Sequence, residues 1–124
     1  MYTEKSDSAQ HVAVSHNGKN IVAGSNSSLF FWSDAQGQNG GKLSPDWSKP
    51  LSAQNVAMSD DGGIIVASAF EDQNWQLVLY LKDGSFKAEA QFVSQITSLA
   101  TSGDCKIIAI TRGYRYIDVY LYEP

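Results

Sequence analysis

The sequence has few of the residues on which most catalytic and redox sites depend. Cys105 is the single cysteine in 124 residues, which excludes an intrachain disulfide and a zinc site built on cysteines. Of the two histidines, His11 and His16, neither is placed to activate Cys105. The serines lie in turn-like contexts, where serine is common for structural reasons. We therefore expect no enzymatic activity, no cofactor and no metal site.

Long hydrophobic runs and a basic surface are also missing. No stretch approaches the roughly 18 apolar residues of a membrane-spanning helix, and the opening MYTEKSDSAQ has no apolar run typical of a signal peptide. Nine basic against 13 acidic residues give a net charge of −4, which is unsuited to nucleic acid or an anionic membrane. We predict a cytoplasmic protein that binds neither, with secretion left open if a leader was removed.

The sequence contains one hairpin pattern that is repeated three times. VAVSHNGKNIVAGS (12–25) returns as VAMSDDGGIIVASA (56–69) and more faintly as SLATSGDCKIIAIT (98–111). Aligned on Ser15, Ser59 and Thr101 of the turns, the units are offset by 44 and then 42 residues. A period of this length, built from short β-rich runs between Gly, Asn, Asp and Ser, is typical of propeller blades.

Further strands follow each hairpin. A third strand is predicted at 29–33, 76–81 and 116–122, and a fourth at 42–47 and 85–93, with Pro45 suited to an outer edge. The third unit has no fourth strand of its own, so we expect residues 1–8 to supply an outer closing strand. The prediction is an all-β fold of three four-stranded β-propeller blades, with units at about 9–50, 51–94 and 95–124.

The first unit, VAVSHNGKNIVAGS followed by LFFWSD, resembles the blades of WD-repeat and quinoprotein-type β-propellers. Those blades have a similar inner hairpin and a third strand that ends in Trp-Asp, where this chain has Trp32, Ser33 and Asp34. Leu81 and Tyr122 replace Trp32 in the later units, and no Gly-His pair precedes any unit. The resemblance implies blade architecture and no particular activity.

Three blades do not close a ring, because propellers are built of four to eight. An open array would expose sheet edges and an apolar flank. We therefore predict that two chains form a six-bladed propeller, with each N-terminal strand completing a last blade, as two-fold homodimers are common. The alternatives are a fragment of a longer protein and a different all-β packing such as a sandwich.

The predicted binding site lies on loops. The segments joining second and third strands, at 25–28, 70–75 and 112–116, differ in every unit. In the propellers that the chain resembles, such loops open on one face together with the links into the inner strands. Variable loops on a rigid scaffold are where binding usually resides. The residues predicted to bind a ligand or partner on this face are Trp75, Asp72, Arg112, Tyr114, Arg115, His11 and Gln95.

Three functions compete on these observations. The first is a non-enzymatic scaffold that binds a protein or peptide, since Trp, Tyr and Arg are common interface hot spots. The second is a lectin-like or small-ligand binder in which Trp75, Tyr114 or Trp47 stacks on sugars. The third is a hydrolase or lyase formed only in the closed ring from copies of His11 and Arg112. A purely structural interpretation has Trp75 and Tyr114 covering their own blades and the arginines pairing with nearby acids.

Overall fold

The computed structural model describes residues 10–33, 45–92 and 94–122, and its regular structure is entirely β-strand. In this part of the chain no helix is long and apolar enough to cross a membrane. The strands are short and rich in β-branched and aromatic residues, which suit a pleated, half-buried surface. They are β1 (His11–Val14), β2 (Ile21–Gly24), β3 (Leu29–Trp32), β4 (Trp47–Lys49), β5 (Ala53–Met58), β6 (Ile64–Glu71), β7 (Asn74–Leu81), β8 (Phe86–Phe92), β9 (Ile96–Thr101), β10 (Ile107–Arg112) and β11 (Tyr116–Leu121).

The strands form three antiparallel sheets in which each strand pairs with the next along the chain. Blade 1 is β1-β2-β3-β4, blade 2 is β5-β6-β7-β8 and blade 3 is β9-β10-β11. The predicted all-β arrangement of three successive blades is confirmed. The outer closing strand predicted at 1–8 lies outside the described residues, and blade 3 has three strands within them.

The outer strand of blade 1 lies further along the chain than predicted. It spans Trp47–Lys49 and pairs with β3, whereas residues 42–44 of the predicted strand lie outside the described part. Pro45 precedes the strand. One residue before the strand, the backbone N–H of Asp46 donates to the carbonyl of Phe31 at 2.7 Å, a bond that a proline could not make.

The hairpin turns share one hydrogen-bonded design, and it corrects the predicted alignment of the third unit. In the first two turns the hydroxyls of Ser15 and Ser59 donate to Asn17 and Asp61 at 2.6 and 2.8 Å. In the third turn the donor is Ser102, to Asp104 at 2.8 Å. The equivalent residue is therefore Ser102 and not Thr101, and the second offset is 102 − 59 = 43 residues.

The corrected alignment places Cys105 in a position otherwise held by glycine. Gly18 and Gly62 have φ values of 74° and 75° there, and Cys105 has a φ of 59°. Left-handed backbone is unfavourable for a residue with a Cβ. The Cys105 side chain is nevertheless fully buried, so packing holds a strained turn residue that the sequence pattern assigns to the strand.

Two apolar clusters hold the blades together. The first lies between blades 1 and 2 and includes Val22, Phe31 and Ile65, each 0% exposed. The second lies between blades 2 and 3 and includes Val66, Leu79, Ile108 and Cys105. Burial of this kind contributes about 25 cal/mol per Å² of apolar surface. Each sheet is thus stabilised chiefly by its neighbour along the chain.

Candidate binding face

An open pocket of about 260 Å³ forms where the inner strands of the blades begin. It contains four of the seven residues predicted from the sequence, His11, Trp75, Gln95 and Tyr114. Gln54, Asn55, Ile96 and Thr97 complete its lining. We call this the inner-strand pocket. Residues from all three blades therefore meet at one end of the stack.

Irregularities in two inner strands shape the pocket. The register of β5 against β6 skips Gln54, and that of β9 against β10 skips Thr97. An extra residue of this kind is a β-bulge, which breaks the ladder and redirects a side chain. The Gln54 amide donates to the hydroxyl of Ser52 at 3.0 Å, and the Thr97 and Thr111 hydroxyls are 2.7 Å apart. The bulges bring polar groups to the pocket.

Asn55 presents a fixed carboxamide beside these bulges. Its Nδ2 donates to the hydroxyl of the buried Ser68 at 2.9 Å. This bond orients the amide plane. The amide oxygen of Asn55 has no hydrogen bond among the described residues. The pocket therefore offers a pre-oriented acceptor, of the kind that reads an N–H or O–H group of a ligand.

Trp75 reaches the pocket from the hairpin that joins β6 and β7. Its ring packs against Phe70 at a centroid distance of 5.2 Å, and it also lies against the cluster between blades 2 and 3. The hairpin turns through Asp72 and Gln73, with φ values of 50° and 65°, as a two-residue type I′ turn requires. Trp75 thus covers its own blade and lines the pocket at once.

Tyr114 reaches the pocket from the turn between β10 and β11. The Gly113 N–H donates to the Gln95 carbonyl at 2.8 Å, which brings the turn beside the start of β9. Tyr114 has a φ of 62° and is 83% exposed. A bulky aromatic residue in left-handed backbone is an outlier of the kind that clusters at functional sites. This residue stands at the rim with its ring free to contact a ligand.

Arg112 is not among the pocket residues. Its Nε donates to Asp118 at 2.5 Å and its Nη1 to the Ser94 hydroxyl at 3.2 Å. The guanidinium also lies 4.6 Å from the centre of the Tyr116 ring. The hydrogen bond with Asp118 raises the pKa of Arg112 above its ordinary value. The structure gives this arginine the role of holding its own blade together.

Asp72 and Arg115 lie outside the pocket lining as well. Both are exposed, each on a turn that flanks the pocket. They are therefore at the periphery of the face, where exposed charges steer association more than they hold a partner.

The side chains that line the pocket suit hydrogen bonding and apolar contact with a ligand. His11 and Tyr114 are its titratable side chains, and the remaining lining is carboxamide, hydroxyl, indole and aliphatic. Among the described residues no three His, Cys, Asp or Glu side chains are grouped to hold a metal ion. Carboxamides and aromatic rings pair hydrogen bonding with flat apolar contact, as in sites that fix the orientation of a ligand.

Sequence reasoning did not assign Asn55, Ile96, Thr97 or Gln54 to the site. Gln54 and Gln95 both stand at the links into inner strands, and the predicted binding residues include only Gln95. The bulges carry no glycine or proline that would reveal them in the sequence. The position of Ser68 opposite Asn55 is a matter of register, and register is set by the folded sheet.

Comparisons with known proteins bear on the fold. No family model matches the chain, and no curated protein matches it. Among solved structures, Hsv2 from Kluyveromyces lactis superposes with a TM-score of 0.65 at 11% identity, over 95% of this chain and 34% of that one. KlHsv2 with loop 6CD replaced by a Gly-Ser linker gives a TM-score of 0.66, also at 11% identity, over 95% and 36%.

Hsv2 is a β-propeller. The present chain has the fold of a partial β-propeller. It spans about a third of the length of the solved structures it matches. This result confirms the propeller architecture that the WD-repeat-like pattern implied. At 11% identity the likeness establishes the fold alone, so the function has to be argued from the pocket.

Proposed function

We propose that this chain is a non-enzymatic β-propeller binding module, assembled by homodimerisation, that holds a protein or peptide on the face around the inner-strand pocket. The observation that carries the proposal is the convergence of Trp75, Tyr114 and carboxamides from blades 2 and 3, beside His11 of blade 1, in one open pocket. Carboxamides suit the alternating donors and acceptors of a peptide backbone, and the two aromatic rings suit its side chains.

The electrostatics of the face favour a partner without dense charge. Arg112 is engaged by Asp118, and the pocket lining includes no Lys, Arg, Asp or Glu. Asp72 and Arg115 offer one charge of each sign at the periphery. We assign these two residues to the rim contacts, with Trp75 and Tyr114 as the anchors.

A lectin-like function is the second candidate. Trp75 beside the carboxamides of Gln54, Asn55 and Gln95 is an arrangement that also suits a sugar ring, with one apolar face and a hydroxyl periphery. An enzyme in the closed ring is less well supported. It would draw on His11 and Arg112, and Arg112 is turned toward its own blade.

A peptide selection followed by calorimetry tests the proposal. A random peptide library is panned on the wild-type protein, and the selected peptide is titrated into wild type, Trp75→Ala and Tyr114→Ala. We expect each substitution to weaken binding about tenfold or more, which corresponds to about 1.4 kcal/mol. The matched control is Phe86→Ala, an aromatic residue 57% exposed on the outer strand of blade 2, which should bind as wild type does.

The outcomes separate the candidates. Equal affinity for wild type and both pocket variants would show that the chosen face is wrong. Selection of no peptide, with binding on a glycan array that is lost in Trp75→Ala, would favour the lectin-like function instead.

A further inference from the structure

Blades 1 and 2 each bury the sheet face that is turned toward the next blade along the chain. We call the sheet face turned toward the next blade the leading face and the opposite one the trailing face. On the leading face of blade 1, Val22 pairs with Phe31, and both are 0% exposed. On that of blade 2, Val66 pairs with Leu79, and they are 0% and 4% exposed. The following blade covers these residues in each case.

The leading face of blade 3 repeats the pattern without a cover. Ala109 pairs with Val119 in the register that joins Val22 to Phe31, and Val119 is 62% exposed. The next position along the third strand shows the same contrast. Its occupants are Leu29, Leu77 and Ile117, with exposed fractions of 0%, 3% and 75%. An apolar sheet face that is buried twice in this chain is therefore open at its third occurrence.

The trailing face of blade 1 is open along its inner strand. Val56 and Met58 on blade 2 are half-buried against the first cluster. Their equivalents on blade 1 are Val12 and Val14, which are 69% and 58% exposed. An exposed apolar patch of this kind marks an interaction surface.

The two open faces match each other in shape. A depression of about 110 Å³ lies on the leading face of blade 3 and is lined by Ala100, Ala109 and Thr111, among others. Ala100 and Thr111 are the equivalents of Ala13 and Gly24 on blade 1. A Cβ added at Gly24 would lie 3.3 Å from Cγ1 of Val56, so a valine occupies the corresponding place between blades 1 and 2. Val12 is the equivalent valine.

The open faces also match in chemistry. The described residues on them carry no ionisable side chain. They are Val12, Val14, Ile21, Ala23, Phe30, Ser48 and Trp32, the last only 9% exposed, on blade 1, and Ser98, Ala100, Ile107, Ala109, Thr111, Ile117, Val119 and Leu121 on blade 3. A partner for either face must be apolar and sheet-like. The blades of this chain supply such a surface.

We propose that a second copy of this chain covers both faces, with the leading face of blade 3 in each copy stacked on the trailing face of blade 1 in the other. The inference rests on the proposed homodimeric module and assigns its interface. Two copies related by a two-fold axis form both contacts at once and give six blades, within the range in which propellers close. The valine at Val12 of one copy then lies against Ala100 of the other.

A charge-pair experiment tests this interface. The solution mass of the full chain is measured by light scattering after size exclusion, at several concentrations. We expect twice the 13.5 kDa chain mass for wild type and about tenfold or more weaker dimerisation for Val12→Lys and for Ala100→Asp. The double variant should regain the dimer, because each interface then places a lysine of one copy beside an aspartate of the other.

Controls keep the outcomes distinct. Phe86→Asp introduces a charge at an exposed apolar residue away from both faces and should stay dimeric. Circular dichroism melting of each variant verifies folding, and Val119→Asp replaces Ala100→Asp if the latter does not fold. A wild-type monomer at all concentrations, an assembly larger than a dimer, or single variants that dimerise like wild type would overturn the interface. A monomer that still binds the selected peptide would overturn the interface and leave the proposed binding face standing. A dimer that binds no ligand would overturn the proposed binding face and leave the interface standing.

Discussion

The side chain of Asn20 donates a hydrogen bond to the backbone carbonyl of Asp61 across 3.1 Å. It joins the hairpin of blade 1 to the turn of blade 2. Asn20 is 1% exposed, and a Cβ added at Gly62 would lie 2.8 Å from the Cβ of Asn20. A further link continues the series, since the Asp60 N–H donates to the Gly103 carbonyl at 2.7 Å. The turns at this end of the stack are therefore tied together in sequence.

Asn20→Ala should lower the free energy of unfolding by about 1 kcal/mol, the usual net contribution of one hydrogen bond. The loss is kept small because Oδ1 of Asn20 is buried without a partner among the described residues, and its removal offsets part of the lost bond. Urea denaturation of Asn20→Ala against wild type measures the change. Lys19→Ala, at the exposed neighbouring position, should leave the urea midpoint unchanged. A midpoint for Asn20→Ala equal to that of wild type would show that the link adds nothing.

Trp47→Ala should be more damaging, with a loss of about 3 kcal/mol of unfolding free energy. The indole of Trp47 stacks on Phe31 at 5.2 Å, lies 5.7 Å from Tyr80 on blade 2, and donates from Nε1 to the Lys82 carbonyl at 2.9 Å. Trp47→Phe keeps an aromatic ring and loses the hydrogen bond, so it should cost about 1 kcal/mol. Urea midpoints distinguish the two. Equal losses would mean that the hydrogen bond, and not the stacking, supplies the stability.

Stability should fall at high pH through Cys105. Burial raises the pKa of its thiol above the ordinary value of 9.0. Because the unfolded chain then releases this proton more readily, the contribution of the thiol to the free energy of unfolding is complete below the unfolded pKa. It is lost as pH rises through the folded pKa. Between about pH 7 and about pH 10, wild type should lose more stability than Cys105→Ala. Tyr80 and Tyr120, whose pKa values are also raised by burial, contribute equally to both proteins.

Urea midpoints of the two proteins across this range make the comparison. Parallel curves would contradict a thiol that is held protonated by burial. The urea midpoint of wild type minus that of Cys105→Ala should be larger at neutral pH than at alkaline pH, since wild type loses stability as the thiol ionises in the unfolded chain.

The blade architecture could be predicted from the sequence because turn chemistry is local. Ser15 and Ser59 with their partners two residues on, and the glycine that follows, appear directly in the amino-acid pattern. The third turn was aligned one residue early because Cys105 stands where that glycine is expected. A strained cysteine is tolerated only where tertiary packing supports it, and such packing is not visible in one sequence.

The site was predicted in part for a related reason. Trp75 and Tyr114 could be predicted because aromatic residues on variable loops are common binding residues, and both line the pocket. Arg112 is predicted to bind because arginine on such a loop is also a common hot spot, but Asp118 lies beside it across the β10–β11 pair. Its engagement depends on strand register. Thr97 was missed because the bulge that brings it to the pocket has no marker residue.

The unequal strand lengths of the blades have a consequence for how the chain folds. Blade 2 has two eight-residue strands and contacts a neighbour on each side, whereas the strands of blade 1 have three or four residues. In a linear array with nearest-neighbour contacts, order begins where local pairing is strongest and spreads outward. Amide hydrogens of β6 and β7 should thus exchange last with solvent deuterium, through global unfolding, and those of the shorter strands of blade 1 earlier, through local opening.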